Sequence, residues 1–386
     1  MLLFSNRPLA KRLFAVVFLT LAINVILISI PGYYSHDELD WLNRIRTHNY
    51  KWGFGLADIE HSTFYRPLGA ALASIALRLP MQPFASHAAL VFVQSLSCCA
   101  LYLLVRDFRP DRAFAAALLF AAMPGTAFAA GWIAAFFDVL FTFFVMCSLY
   151  AAAAFWRRGH WGWAVASTLA YLAGLLSKEP ALTAPLAALI LLYCDRARAD
   201  FRRVAVLWAS IAAVTLLYAA LRIPVLMRVG GTNANGGYTF GNLDNIARNA
   251  LAYFVFPFVV PNYEIGGILN HGLAIVGLAV ALHLVLLGVL WMRCGKTAPA
   301  LYLAAYFLPL LPVLVISKYE TQYIYAALAA TSVALAFAWK GRSMSSYAIV
   351  GLGILAILHG LFIQKRMYPA CAKRARCKPP PLFCLL

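Results

Sequence analysis

Residues 86–105 read SHAALVFVQSLSCCALYLLV, a largely apolar run without a single Asp, Glu, Lys or Arg. A run of about 20 such residues is long enough to cross the hydrocarbon core of a bilayer as a helix. Similar runs recur along the 386-residue chain, which is 63% hydrophobic and 12% charged. Because lipid offers the backbone no hydrogen-bond partner, spanning segments must be helices or closed barrels. The sequence therefore predicts an all-α, polytopic membrane protein.

The predicted spans follow from the apolar runs and from the charges between them. We expect eleven membrane-spanning helices, at residues 13–30, 86–105, 113–131, 135–155, 161–177, 180–194, 204–223, 272–292, 299–316, 323–339 and 345–364. The basic residues cluster in short segments such as RDFRPDR, residues 106–112, and such clusters are typical of cytoplasmic loops. With the N-terminus in the cytoplasm, most acidic residues lie on the outer side. The net charge of +18 then reflects topology and not a nucleic-acid partner.

The spans form one predicted transmembrane module, residues 1–364, which we expect in a bacterial inner membrane. Two long segments are predicted on the outer side, at residues 31–85 and 224–271. The second contains IARNALAYFVFPFVVP, residues 246–261, interpreted as an interfacial helix because a twelfth span there would invert every later loop. Residues 365–386 form a short basic tail. The eight cysteines show no spacing typical of a zinc or disulfide site.

The first outer segment carries an acidic cluster, SHDELDW, residues 35–41. Ser35 followed by Glu38 matches a capping box, in which the glutamate bonds back to the serine backbone at the start of a helix. The spacing of the apolar residues that follow predicts a short amphipathic helix on the membrane surface. Glu38 is therefore either a structural cap or a functional acid. Asp37 is favoured as functional, because a single helix needs only one acid in its first turn.

Arg66 stands directly before Pro67 in STFYRPLGA, residues 62–70. The residue before a proline is pushed towards extended backbone, which predicts a turn into the next helix at the membrane surface. An arginine there either reaches lipid headgroups or holds a phosphate through its planar, two-pronged guanidinium. The bare sequence leaves both roles open.

Three further segments place polar groups at the outer ends of spans, and a charge costs about 2.5–3.5 kcal/mol at mid-bilayer. The segments are WIAAFFDVLF, LLSKEPAL and SKYETQYIYAAL, with the polar residues Asp138, Lys178, Glu179, Glu320, Tyr323 and Tyr325. Structural roles are open here too, because Lys178 and Glu179 could pair with each other and the tyrosines could form an interfacial belt. Their common side of the membrane indicates one cavity that faces outward.

In this order, SHDELDW, FYRPLGAALASIAL, GWIAAFFDVLF, LLSKEPAL and ETQYIYAAL resemble the GT-C superfamily of glycosyltransferases. The resemblance runs from residue 31 to about residue 340 and is strongest to the protein O-mannosyltransferase and TMTC-type branch. It implies a membrane glycosyltransferase whose donor is a sugar linked to a polyprenyl phosphate. The acceptor would be a protein, a glycan or a lipid. No cofactor is implied with certainty, and a divalent metal ion held by the paired acids stays open.

The resemblance also implies roles for individual residues. Asp37 matches the general base that takes a proton from the acceptor hydroxyl, with Glu38 as its neighbour. Arg66 matches the basic residue that holds the donor phosphate, and Lys178 is a second candidate for that contact. Transfer in one step would invert the anomeric centre, because the hydroxyl attacks opposite the leaving phosphate. Further residues of the same cavity would be Asp138, Glu179, Glu320, Tyr323 and Tyr325.

Other classes of membrane protein compete with this interpretation. A transporter or lipid flippase would show internal repeats and charges near mid-membrane, whereas here the charges gather at one interface. A surface-polysaccharide polymerase or ligase would carry its charged loop late in the chain, whereas here that loop comes first. A structural membrane subunit is the remaining alternative.

Overall fold

The computed structural model describes residues 7–35, 37–40, 43, 65–230, 242–260, 262, 264–317, 319–341 and 343–376. Residues 36, 41–42 and 44–64 of the predicted first outer segment, the glycine-rich stretch 231–241 and the end of the predicted tail, 377–386, lie outside the described residues. Every regular element within the described ranges is a helix, which confirms the all-α prediction.

The α-helices, numbered along the chain, are α1 (Arg7–Ile23), α2 (Val25–Ile28), α3 (Pro67–Arg78), α4 (Phe84–Arg106), α5 (Ala113–Ala122), α6 (Pro124–Gly131), α7 (Phe136–Arg158), α8 (Trp161–Leu175), α9 (Ala184–Asp195), α10 (Phe201–Gly230), α11 (Leu243–Val255), α12 (Leu273–Cys294), α13 (Ala298–Phe307), α14 (Leu311–Leu314), α15 (Tyr325–Ala338) and α16 (Met344–Arg376). Short 3-10 helices connect several of them, at Ile133–Ala135, Glu179–Thr183, Phe256–Phe258, Ile265–His271, Leu308–Leu310 and Thr321–Ile324. Residues 37–40 are also helical.

Within the described ranges, six segments are long and apolar enough to cross a membrane: Phe84–Arg106, Ile133–Arg158, Phe201–Val225, Leu273–Cys294, Thr321–Ala338 and Met344–Lys373. The bent pair of α5 and α6 makes a seventh if it counts as one span. The multi-pass architecture is confirmed, whereas the predicted number of eleven spans is not. The remaining predicted spans contain shorter helices, namely α1, α8, α9, and α13 with α14. Polar residues or prolines interrupt these runs, among them Asn24, Pro180 and Pro309.

The break between α5 and α6 bends the chain by 58°. Pro124 begins α6 and has no N–H to donate to the preceding turn. The Asn24 side chain donates to the carbonyl oxygen of Ala121 at 3.3 Å, and the Gln364 side chain donates to Asn24 Oδ1 at 3.2 Å. Inside a membrane, such side chains replace the backbone hydrogen bonds that a broken helix loses. These buried polar residues therefore stabilise the break.

Gly360 allows α16 to pack directly against this break. A Cβ atom at Gly360 would lie 2.0 Å from the carbonyl oxygen of Ala122, closer than a side chain can approach. Gly351, earlier on the same helix, has open space where a Cβ would lie. Packing therefore requires glycine at position 360, although glycine is a poor helix former.

The ends of α4, α7 and α9 meet in a network of ion pairs. Asp195 is buried and accepts hydrogen bonds from the Trp156 indole at 2.6 Å and from the Arg157 guanidinium. Arg157 also contacts Asp107 at 3.0 Å. Asp138 lies in the first turn of α7 and Arg157 in its last turn, so this network and Asp138 mark opposite ends of the bundle.

Helices extend into two segments that the sequence predicted as an outer loop and a tail. α10 continues to Gly230, so the predicted outer segment 224–271 begins as a helix. α16 continues to Arg376 and includes the first part of the predicted tail 365–386. α11 overlaps the predicted interfacial stretch and buries Tyr253 while its first residues are exposed. Its position at a membrane interface stays a prediction.

Candidate active site

Glu38 anchors the predicted first outer segment to the junction between α6 and α7. One of its carboxylate oxygens accepts the backbone N–H of Ser35 at 2.8 Å, which is the backward bond that the predicted capping box requires. The other oxygen accepts the backbone N–H of Ile133 at 2.7 Å. The Trp132 indole donates to the Ser35 hydroxyl at 3.0 Å and adds a second link across the same junction.

The surroundings of Glu38 favour a structural role over the catalytic role predicted from the sequence. Its side chain is only 1% exposed, and both of its oxygens are occupied by backbone donors. Burial raises the pKa of Glu38 to about 7, although the N–H groups of Ser35 and Ile133 oppose that rise by favouring the charged form. Of the two roles that the sequence left open, the structural cap fits these contacts.

Asp37 precedes Glu38 in the same short helix and is exposed. The two adjacent acids therefore differ, since Glu38 is buried and Asp37 is open to an incoming molecule. Glu38 contacts Ile133, and Asp138 follows five residues later, about 8 Å along the helical segment. Asp37 therefore lies at the same end of the bundle as Asp138.

Lys178 and Asp138 form a buried ion pair. The Lys178 ammonium nitrogen lies 2.6 Å from each of the two carboxylate oxygens of Asp138. The two side chains are 5% and 3% exposed. The ammonium also lies 4.6 Å from the centre of the Tyr323 ring, which is a cation–π distance. Three sequence-predicted site residues thus meet in one cluster.

Arg66 and Glu179 form a second ion pair beside the first. Arg66 Nη2 donates to Glu179 Oε2 at 2.8 Å, and Arg66 Nε lies 3.2 Å from both oxygens. Burial alone would raise the pKa of Glu179, but the charge of Arg66 brings it below its ordinary value. The Arg66 and Glu179 side chains are 19% and 25% exposed, so this pair, unlike Lys178–Asp138, is accessible to a ligand.

The proposed mutual pairing of Lys178 with Glu179 is wrong. Lys178 has extended backbone, with φ −164° and ψ 145°, and it directly precedes the 3-10 helix that begins at Glu179. Successive side chains of extended backbone point to opposite sides. The two neighbours therefore turn to different partners, Asp138 and Arg66.

Short 3-10 helices present the site residues at this end of the bundle. One begins at Ile133 and follows Trp132, one begins at Glu179, and one begins at Thr321 and follows Glu320. Each follows a residue with extended backbone and leads into a longer helix. These short 3-10 helices interrupt the longer α-helices at this end of the bundle, where the polar side chains of the site lie.

The SKYETQYIYAAL segment divides between the site and the core. The Tyr253 hydroxyl holds the backbone of Glu320, accepting its N–H at 3.2 Å and donating to its carbonyl at 3.1 Å. Tyr323 lies at the site, over Lys178. Tyr325 is fully buried in the core and donates to Gln94 on α4. The two tyrosines therefore have different surroundings, and Glu320 itself is half-buried.

Arg222 of α10 is a charged residue near the site that the sequence analysis did not select. It is only 2% exposed, and its guanidinium carbon lies 5.4 Å from the centre of the Tyr65 ring, next to Arg66 in the chain. Tyr218, one turn earlier, lies within electrostatic reach of Glu179, Arg222 and Arg66. The sequence does contain a pattern that could have identified Arg222. It lies inside the apolar run YAALRIPVL, where a charged side chain costs free energy in a membrane.

This end of the bundle carries both basic and acidic side chains. The basic ones are Arg66, Lys178 and Arg222, and Asp138 and Glu179 pair with two of them. The described part of the chain holds no group of three or more His, Cys, Asp or Glu side chains that could hold a metal ion. The metal hypothesis for the paired acids gains no support from Glu38, whose oxygens bind backbone N–H groups.

In a comparison with known proteins, the segment that contains both ion pairs matches a family model. Residues 65–227 match the profile of the family described as dolichyl-phosphate-mannose-protein mannosyltransferase. Among solved structures, the chain is similar to ArnT from Cupriavidus metallidurans bound to undecaprenyl phosphate. That similarity has a TM-score of 0.49 and 14% identity, and it covers 95% of this chain and 76% of ArnT. No curated protein sequence matches this chain.

The matched segment begins beside Arg66 and ends just beyond Arg222, and it includes Asp138, Lys178 and Glu179. The ion pairs described above therefore lie entirely within it. The family match therefore covers the part of the chain in which the candidate site lies.

Proposed function

We propose that this protein transfers a sugar from a polyprenyl-phosphate-linked donor to an acceptor hydroxyl on the extracytoplasmic side of the membrane. One observation carries the proposal. The pairs Arg66–Glu179 and Lys178–Asp138 lie side by side within the segment that matches a family of lipid-phosphate-sugar-dependent mannosyltransferases. At the end of a membrane bundle, a compact cluster that includes the partly exposed guanidinium of Arg66 suits the phosphate of a lipid carrier.

Arg66 is the residue proposed to hold the donor phosphate. Its planar guanidinium already binds one oxyanion, the Glu179 carboxylate, with the two-pronged geometry that a phosphate also accepts. Its partial exposure leaves room for a second anion. Lys178 is less suited to direct contact, because its ammonium is buried on Asp138. We assign Lys178 to positioning the turn that carries Glu179.

Asp37 is the proposed general base. It accepts the proton of the acceptor hydroxyl while the hydroxyl oxygen forms a bond to the anomeric carbon. The bond between that carbon and the phosphate oxygen breaks at the same time, and its electron pair leaves on the phosphate. Arg66, with Arg222 behind it, stabilises the new negative charge, so the leaving oxygen needs no proton. The attack is opposite the leaving group and inverts the anomeric centre.

The distribution of charge supports the orientation. The end of the bundle opposite the candidate site carries the basic segments RDFRPDR and WRRGH, residues 106–112 and 156–160. Basic loops favour the cytoplasmic side. Asp37 and the two ion pairs then face outward.

The test is sugar transfer by purified protein in liposomes that contain a panel of polyprenyl-phosphate sugars, read by mass spectrometry of the released lipid phosphate and of added acceptors. Wild type is expected to release lipid phosphate from at least one donor. Asp37→Asn is expected to abolish release, because the amide cannot take the proton. Asp40→Asn is the matched control, since Asp40 is an exposed acid of the same short helix.

Equal activity of Asp37→Asn and wild type would remove Asp37 from the mechanism. Release of no lipid phosphate from any donor, combined with uptake of a solute by the same liposomes, would favour the transporter alternative over the transferase.

A further inference from the structure

An apolar groove runs along the bundle between α5, α15 and α16. Its volume is about 580 Å³, and every lining residue is hydrophobic or glycine. Its walls include the small residues Ala115, Ala336 and Gly353. At its rim, Val350 and Ile354 are 44% and 52% exposed. Since interiors of folded proteins are close-packed, an open groove of this size between candidate spans needs an occupant.

The groove has the length of one membrane leaflet. Its lining on α16 extends from Ile349 to Leu361, thirteen residues that span about 18 Å in a helix. One leaflet of the hydrocarbon core is about 15 Å thick. The groove is therefore long enough for one acyl chain.

One end of the groove carries an aromatic ring and a guanidinium. Trp339 lines the groove, and the guanidinium carbon of Arg112 lies 4.6 Å from the centre of its indole ring. Arg112 is 12% exposed and pairs with Asp111 at 2.9 Å, a residue that is 51% exposed. Solvent reaches the Asp111 side of this pair and weakens it, so the other N–H groups of the Arg112 guanidinium can donate to a second anion.

Further positive charge surrounds this end. Arg109 lies 5.8 Å from the centre of the Phe337 ring, so the loop after α4 meets the end of α15. The described parts of the segments that meet here, 106–112, 293–297 and 339–341, hold six basic and two acidic residues, a balance of +4. The basic residues are Arg106, Arg109, Arg112, Arg293, Lys296 and Lys340.

We propose that this groove binds an anionic phospholipid, with one acyl chain between α15 and α16 and the phosphate at Arg112 beside Trp339. The acyl chain matches the apolar walls and their length, and the headgroup charge matches the basic end. The site lies at the opposite end of the bundle from Asp138, because Arg112 belongs to the loop whose Asp107 contacts the last turn of α7. The lipid is therefore a ligand separate from the proposed sugar donor.

The test compares lipid retention by two glycine variants of α16. Purified protein is incubated in detergent with equal amounts of phosphatidylglycerol and phosphatidylcholine, and native mass spectrometry counts the bound lipid. Wild type is expected to retain one phosphatidylglycerol per chain. Gly353→Leu is expected to lose it, because the new side chain fills the groove. Gly351→Leu, two residues away and outside the groove, is expected to retain it.

Arg112→Gln tests the headgroup separately from the packing of the groove. It is expected to lower the preference for phosphatidylglycerol over phosphatidylcholine about fivefold, the effect of one basic residue at a membrane surface. Equal retention by Gly353→Leu and Gly351→Leu would overturn the proposal. So would equal binding of both lipids by wild type, or a dimeric mass without lipid, which would make a second copy of the chain the occupant.

Discussion

Lys178 places its ammonium 2.6 Å from both carboxylate oxygens of Asp138, and this pair joins the turn after α8 to the first turn of α7. Both side chains are almost fully buried. Removing these charges from water costs free energy, and only the attraction between the two paired side chains offsets that cost. The pair fixes the position of the 3-10 helix that begins at Glu179, and through it the partner of Arg66.

Breaking the Lys178–Asp138 pair from one side should destabilise the fold strongly. Lys178→Met leaves Asp138 as an uncompensated buried charge, and we expect a loss of about 3–5 kcal/mol in the free energy of unfolding. The double variant Lys178→Met, Asp138→Leu should recover most of that loss, because no charge is left unpaired. Melting temperatures of the purified single and double variants in detergent measure the difference. A double variant less stable than either single variant would show that the two residues do not act as a pair.

Glu38 should make the stability of the wild type depend on pH. Burial raises its pKa from the ordinary 4.5 to about 7, so the folded protein binds this proton more tightly than the unfolded chain. The stabilising contribution is complete below pH 4.5 and is lost as the pH rises through 7. The total loss is at most about 3 kcal/mol. The melting temperature of the wild type should therefore fall relative to that of Glu38→Gln as the pH rises from 4.5 to 8, because glutamine does not titrate.

The control for this measurement is Asp40→Asn, which removes an exposed acid from the same short helix. Its melting temperature should change with pH as that of the wild type does. If the melting temperature of Glu38→Gln changed with pH as much as that of the wild type, another group would be responsible for the pH dependence.

Gly360→Ala should destabilise the protein, whereas Gly351→Ala should not. The added Cβ at position 360 would lie 2.0 Å from the Ala122 carbonyl oxygen and would force α16 away from the break. Overpacking of this kind costs about 1–3 kcal/mol. At position 351 the space is open, and alanine gains up to about 1 kcal/mol in helix propensity. Opposite shifts of the two melting temperatures are expected, and equal shifts would contradict the packing of α16 on the break.

Local patterns in the sequence predicted the helical membrane architecture and the bond from Glu38 to Ser35, because both depend on residues close together in the chain. The partners of Lys178 and Glu179 could not be predicted in the same way. Those partners come from Asp138 and Arg66, which only tertiary packing brings near.

The different surroundings of the two tyrosines of SKYETQYIYAAL could not be predicted from the local pattern either. Tyr323 and Tyr325 have the same local pattern, but a 3-10 helix ends between them and sends one to the site and the other to Gln94 in the core. The predicted eleven spans are not confirmed, because only six or seven segments of the described residues are long and apolar enough to cross a membrane. Hydrophobicity does not show where a buried polar residue such as Asn24 allows an apolar run to break.

The most direct test of the central claim, that Arg66 holds the phosphate of a lipid carrier, is the affinity of the purified protein for a polyprenyl phosphate without sugar. Hydrogen bonds to charged groups contribute about 1.5–3 kcal/mol, so Arg66→Gln should weaken binding about tenfold to a hundredfold. Glu179→Gln should bind as tightly as wild type or more tightly, because the carboxylate no longer competes for Arg66. Equal weakening by both variants would show that the pair is only structural, and unchanged binding by Arg66→Gln would contradict the claim outright.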